Sequence, residues 1–292
     1  MLAIVSGVMT SLTTAQPSWR SASLVFSSQS ESDFALVSNI VRAILSAAPI
    51  ASRGARTSML AMAKTVAILQ SNYVPWKGYF DLMRSVDEFI LYDEVQYTRR
   101  DWRNRNRFKS PAGVRWLTVP VQVKGRYLQR VDETLISDSG WGAQHWSALT
   151  NWYRDAPYFD HYRETFEATY LSSDDEHLSQ VNRKFIELVA GLLGITTALT
   201  PSTDYTSRST KTERLLSICE AAGASVYLSG PAAKAYLDET IFADAGIAVA
   251  WMDYDGYPEY PQLYPPFEHH VSVLDLLFSV GPDAPNYLLG AR

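Results

Sequence analysis

The apolar positions of this chain change period several times, and each change marks an element. Val66-Ala67-Ile68-Leu69 is a continuous apolar run closed by Gln70, Ser71 and Asn72, which predicts a buried strand. Pro75 and Gly78 turn the chain, after which Tyr79, Leu82, Met83 and Val86 recur at helical spacing. Residues 88–92 predict a second strand. Further on, residues 116–123 alternate and are rich in Val, with Pro120 pointing to an edge position or a bulge, and residues 131–136 form a short extended piece. Helical periodicity then covers residues 141–153, 158–170 and 177–193, the last stopped by Gly194.

The carboxyl half alternates again. A short strand at 195–199 is followed by a helix whose start is marked by Thr210 and Glu213, a capping box ahead of Leu215, Leu216 and Ile218. A strand at 224–230 ends in a Gly-Pro turn, and residues 231–237 predict a helix with Pro231 near its first position. One more strand at 247–252, a Tyr/Pro loop at 254–267 too proline-dense for a helix, and a helix at 271–280 complete the pattern. Together these predict an α/β fold: a Rossmann-like, mostly parallel sheet with flanking helices, plus a helical segment in the middle of the chain.

Residues 1–61 differ. They are rich in Ser, Ala, Thr and Leu and carry Arg20, Arg42, Arg53 and Arg56 against Glu31 and Asp33. Such a leader is either a targeting segment or sequence upstream of a true start at Met62, and the second reading is preferred. Residues 33–48 hold a loose helical spacing. The expectation is a poorly structured leader and one α/β domain over 62–292.

Composition adds limits. Over 292 residues, 47% hydrophobic and 20% charged positions suit a globular protein with a full core. A net charge of -5 argues against a general nucleic-acid coat. The single cysteine, Cys219, excludes an internal disulfide and fits a reducing, cytoplasmic setting; its place on a helical apolar face predicts plain packing. No apolar run is long enough to span a bilayer. His145 and His161 lack partners at metal-ligand spacing, and no phosphate-loop, dinucleotide, zinc-protease or serine-elbow motif is present.

Candidate chemistry concentrates after the first strand. Arg99, Arg100, Arg103, Arg105, Arg107 and Lys109 are interleaved with Asp101, Trp102, Asn104 and Asn106, and read as a dense cationic loop. Arginine forks suit a diphosphate. Trp76, Tyr79, Tyr73, Tyr97 and Trp102 suit stacking, and Gln70, Asn72, Gln96, Asn104 and Asn106 suit hydroxyl or amide edges. Asp93 or Asp101 is the acid/base candidate, with Lys77 grouped beside them. The plainer reading is a solvated face whose arginines pair with Asp93, Glu94 and Asp101. Thr210 at a helix start, and Ser229, Gly230 and Lys234 at a strand's carboxyl edge, are further binding candidates.

The strings LQSNYVPWKGYFD at 69–81, DEFILYDEVQY at 87–97 and RDWRNRN at 100–106 resemble the WbqC-like protein family. WLTVP at 116–120, YLSGP at 227–231, YLD at 236–238, YPQ at 260–262 and LDLLF at 274–278 extend the resemblance over residues 64–283 and add Tyr260 and Gln262 to the binding candidates. The resemblance implies a place among bacterial genes for O-antigen and other surface polysaccharides, hence lipopolysaccharide-type products. The expectation is a cytoplasmic transferase that moves an acyl, aminoacyl or related small group onto a nucleotide-activated sugar, an anionic small molecule. A fold-level similarity to pantothenate synthetase-like nucleotidylyltransferases, carried by Pro75, Gly78, Leu82, Asp87, Val95 and Gln96, keeps open ATP-dependent adenylylation or amide ligation. Trp76, Lys77 and Tyr79 stand where that superfamily has histidines. The third reading is a non-catalytic sugar-nucleotide binding protein. ATP and a nucleotide sugar both remain open as cofactor or substrate.

Overall fold

The computed structural model describes residues 63–172, 175–206 and 212–289. The chain divides into two units, Met1–Leu60 and Ala61–Arg292, and the described residues lie in the second. The leader, the helical spacing expected at 33–48 and Thr210 lie outside the described residues.

Five strands build one parallel sheet: β1 (Thr65–Leu69), β2 (Glu88–Leu91), β5 (Ala198–Pro201), β6 (Val226–Ser229) and β7 (Ala248–Trp251). Their spatial order is β5-β2-β1-β6-β7, with Val66 beside Glu88 on one flank of β1 and beside Tyr227 on the other. The chain therefore leaves β1 towards β2 and β5, then returns to the other side of β1 as β6. That reversal is the switch point of a doubly wound sheet, the place where such folds open a crevice at the carboxyl ends of their strands.

Both faces of the sheet are covered, which is why its strands are continuous apolar runs rather than alternating ones. Val66, Ile68, Ile90 and Tyr227 face a smaller core made with α5 (Thr212–Ala221) and α6 (Glu239–Asp244), where Cys219 is fully buried beside Ile218. Ala67, Phe89 and Leu91 face the larger core, which takes in α1 (Lys77–Arg84), α4 (Leu178–Leu192) and α7 (Val273–Val280). Every residue of α7 is buried, and its Phe278 meets Tyr153, Phe159 and Phe166 at ring distances of 5.2–5.6 Å.

Between β2 and β5 the chain inserts a hairpin and two helices before α4. The hairpin is β3 (Arg105–Ser110) with β4 (Gly113–Thr118), paired antiparallel from Arg105↔Thr118 to Ser110↔Gly113. This corrects the expected cationic loop from Arg105 onward, while residues 99–104 remain a turn ahead of the strand. Asn106, Phe108, Lys109 and Ser110 are buried while Arg105 and Arg107 stay half-exposed, so those two arginines lie on the outer face of a strand and Lys109 is enclosed. Residues 131–136 form isolated bridges, Val121↔Ile136 and Leu135↔His177, rather than a strand. After β6, Pro231–Ala235 is a 3-10 turn, and the helix begins later, at α6, where Asp238 accepts from Thr240 N–H at 3.0 Å.

The helices α2 (Trp141–Tyr153) and α3 (Phe159–Leu171) carry the aromatic stripe as core. His145 on α2 is buried: Nδ1 lies 2.8 Å from the Tyr73 hydroxyl and Nε2 3.2 Å from the Thr118 carbonyl. A neutral ring with its proton on Nε2 satisfies both, and burial pulls its pKa down to about 4.

Candidate functional site

A cavity of about 990 Å³ opens at the switch point. Its floor is the carboxyl ends of the strands: Leu69 and Gln70 after β1, Tyr92 and Glu94 after β2, Ser229 and Gly230 after β6. Thr212 and Arg214 in the first turn of α5 form one wall, and Ala233 and Tyr236 another. The first turn of a helix leaves its N–H groups unpaired and carries partial positive charge, so this wall favours an anion. Arg214 reaches Glu94 at 2.7 Å and lies 5.4 Å from the Tyr92 ring. The other carboxylate oxygen of Glu94, Oε1, is buried without a hydrogen-bond partner. Burial raises the Tyr92 phenol, with Arg214 acting against it and Glu94 adding to it.

Glu94 also lines a second cavity, of about 210 Å³, beyond β2 and β5, together with Asp93, Asp132, Arg183 and Ser202. Asp93 Oδ1 accepts from Ser71 N–H at 2.8 Å. Burial lifts the Asp93 carboxyl to about 6; the Ser71 hydrogen bonds and Arg103 act against this rise, and Asp132 adds to it. A carboxylate poised near neutrality and open to a cavity is suited to take a proton at physiological pH. The Arg103 guanidinium is nine-tenths enclosed, bonded to Asn72 and 3.5 Å from Asp101, and it keeps one nitrogen, Nε, without a partner.

The structure distributes the sequence candidates. Gln70, Gln96, Ser229 and Gly230 share the switch-point cavity. Tyr97, Arg99, Arg100 and Asn104 line a separate groove. Trp102 lies half-exposed against Trp116. Asn106 holds the backbone, donating to the carbonyls of Tyr73 and Val74 at 3.1 and 2.7 Å. Val74 has φ 38°, costly for a β-branched residue, and Ser272 Oγ donates to the same carbonyl at 2.9 Å. Tyr73 is core, bonded to His145 and Tyr170, and Tyr79 donates to the Gln70 carbonyl at 3.3 Å.

Lys77, Trp76, Tyr260 and Gln262 belong to a different cluster, under the Tyr/Pro loop. Lys77 Nζ donates to the Pro258 carbonyl at 3.2 Å and lies 4.8 Å from the Tyr257 ring centre. Burial pulls its ammonium down to about 8, against Asp275 and Asp81. Tyr153, Tyr260 and Gln262 all donate to Asp275, at 2.9, 2.8 and 2.6 Å. Trp76 packs against Tyr254, Tyr257 and His270. Lys234 sits over Trp251 at 5.5 Å.

Glu94, Arg214, Tyr92 and Tyr236 were not among the candidates read from the sequence. Arg214 directly follows the Thr210–Glu213 helix-start signal in the sequence, but its pairing with Glu94 depends on strand order, which one sequence does not reveal. Among the described residues no group of three or more His, Cys, Asp or Glu could hold a metal ion, and no helix is long and apolar enough to cross a membrane.

Residues 70–287 match the WbqC-like protein family. An uncharacterized protein of Mycobacterium tuberculosis (strain ATCC 25618 / H37Rv) is 51% identical over 229 residues, which span 78% of this chain and 99% of that protein. No solved structure matches the chain.

Proposed function

Because the chain belongs to the WbqC-like protein family, we propose that it is an enzyme of surface-polysaccharide assembly that binds a nucleotide-activated sugar in the switch-point cavity and transfers a small acyl or aminoacyl group to it. The observation that carries this reading is the cavity itself. At about 990 Å³ it stands at the large end of small-molecule sites, and it joins an anion-favouring helix start to exposed tyrosine and amide groups. Thr212 and the α5 N–H groups face the diphosphate with Arg214, Tyr236 and Tyr92 flank a ring, and Gln70, Gln96 and Ser229 meet hydroxyls. Asp93 lines the adjoining cavity, which Glu94 shares with this one, so it serves as base for an acceptor group that extends past Glu94 into that space. It takes the proton of the acceptor hydroxyl or amine as that atom attacks the carbonyl of an activated acyl donor, such as a thioester, whose leaving group departs with its bonding pair.

Calorimetric titration with UDP and UDP-N-acetylglucosamine tests the binding half. The expected result is saturable binding that Arg214→Ala weakens about tenfold, in keeping with a charge-assisted contact. Absence of binding across a panel of nucleotide sugars defeats the reading. Asp93→Asn tests the chemical half: turnover falls while affinity is kept. A protein in which only affinity ever changes is a sugar-nucleotide sensor.

The parallel order and the helix start beside the cavity also favour a second reading, ATP-dependent adenylylation or ligation. Release of pyrophosphate from ATP in the presence of a carboxylic acid selects it over the first.

A further inference from the structure

We propose that the groove between residues 97–105 and 118–123 is a second ligand site, which takes a single anionic sugar: a uronate or a sugar phosphate. The inference stands apart from the nucleotide reading of the switch-point cavity. The two share no lining residue, and Gln96 belongs to one while its neighbour Tyr97 belongs to the other.

Three guanidinium-bearing residues, Arg99, Arg100 and Arg105, line this groove, and no carboxylate does. Their partners leave the charge unspent. Arg99 donates to the Val123 carbonyl at 2.6 Å, and Arg105 donates to the Arg100 carbonyl. Among the described residues the side chain of Arg100 has no hydrogen bond or ion pair, and it extends from a backbone at φ 60°, which residues other than glycine adopt at a cost. In contrast, the switch-point cavity neutralises Arg214 with Glu94 at 2.7 Å. A concentration of like charge in a lining that holds no carboxylate, the nearby Asp101 being turned to Arg103 at 3.5 Å, is an anion site in waiting.

Two further observations narrow the anion to a sugar. Trp102 and Trp116 are 39% and 44% exposed, with ring centres 5.2 Å apart, and Arg105 lies 4.2 Å over Trp116. The two rings are tilted at 37° and lie outside the groove lining itself, joined to it through Arg105; their exposed apolar surface suits the C–H face of a sugar ring. Beside them Asn104 is 95% buried, and its Oδ1 has no partner. That atom accepts hydrogen bonds, so it complements a hydroxyl, while the arginines complement a carboxylate or phosphate. The groove holds about 270 Å³, near the lower end of ligand pockets, which favours one ring over a nucleotide.

The test is a ligand-observed NMR titration of the full chain with D-glucuronate, glucose 6-phosphate and neutral D-glucose. Binding of either anionic sugar at least about tenfold tighter than glucose supports the proposal, as expected for a charge-assisted contact, and their relative affinity separates the carboxylate from the phosphate source. Arg100→Ala, at an exposed position, weakens that binding about tenfold, and Trp116→Ala weakens glucuronate and glucose alike. Gln70→Ala, in the switch-point cavity, leaves it unchanged. Equal affinity for glucose, or no effect of Arg100→Ala in a variant that melts like the parent, overturns the proposal. Loss of binding in Gln70→Ala also overturns it, because the sugar then occupies the other cavity. Tighter binding of a short single-stranded RNA at the same residues overturns it in favour of nucleic acid.

Discussion

Replacing Asp93 by Asn reports directly on the group assigned as base. The Asn carbonyl still accepts from Ser71 N–H, so the geometry survives and the charge goes. In the folded protein Asp93 titrates at about 6 against an ordinary 3.8, a difference equivalent to about 3 kcal/mol. Between these values the folded state holds a proton that the unfolded chain has released. The stability that Asp93 contributes is therefore complete below pH ~4 and is lost as pH rises through about 6. His145 does the reverse. Its folded value of about 4 lies below an ordinary 6.5, so its contribution, again about 3 kcal/mol, is present above pH ~6.5 and is lost as pH falls. The two slopes nearly cancel in the parent protein. Only differences between variant and parent expose them. Urea unfolding followed by tryptophan fluorescence, repeated from pH 4 to 7, gives those differences. Relative to the parent, Asp93→Asn gains about 3 kcal/mol across this window as pH rises, while His145→Asn gains as pH falls. A flat Asp93→Asn difference refutes the raised carboxyl and, with it, the case for Asp93 as base.

Other variants probe the frame around the site. Asp275→Ala strands the Tyr153 and Tyr260 hydroxyls and the Gln262 amide around a fully buried position, and should cost about 3–5 kcal/mol in urea unfolding, as removal of a buried charged partner does; a loss below ~1 kcal/mol refutes a shared network. Gly142→Ala pushes a methyl group into the Tyr170 main-chain carbonyl, where α2 crosses α3. That lowers the melting temperature by several degrees, whereas Gly191→Ala on α4, with open space around it, raises it slightly. Burial pushes the Cys219 thiol up to about 12, so a thiol reagent should leave it unmodified in the folded protein at pH 7.5 and label it once urea unfolds the chain.

Much of the sheet could be read from the sequence because its strands announce themselves in one place each. Val66-Ala67-Ile68-Leu69 needs no partner to be recognised as a buried run, and it is β1. The helix over 141–153 emerged with the bounds its aromatic spacing predicts. Arg105–Ser110 was missed as a strand because six residues with three cations hold one apolar side chain, Phe108, and bury the polar Asn106, Lys109 and Ser110 beside it. The site was legible in part for the same reason. Gln70 and Ser229 could be placed at strand ends from local pattern, but their meeting in one cavity depends on β6 lying beside β1. Asn106 looked like a ligand contact because a buried amide that clamps the Tyr73 and Val74 carbonyls carries the same sequence signal as one that reads a hydroxyl.

The division of labour between sheet and insertion bears on where specificity resides. The parallel strands supply the positions at which any doubly wound sheet opens, and Leu69, Leu91 and Pro201 at their ends carry little that could tell one ligand from another. The groups with charge or hydrogen-bonding capacity come largely from residues 92–197: Asp93 and Glu94 at its start, the Arg99 to Arg105 segment, Asp132, and Arg183 on α4. Glu94 links two of these spaces, and Gln96 and Tyr97 divide the switch-point cavity from the groove. A change in this insertion therefore alters which group is held or which proton moves without disturbing the five-stranded frame. A change at β1 or β6 alters whether a cavity exists at all. Loss of ligand discrimination at constant stability is the expected mark of the first kind of substitution, and joint loss of binding and stability that of the second.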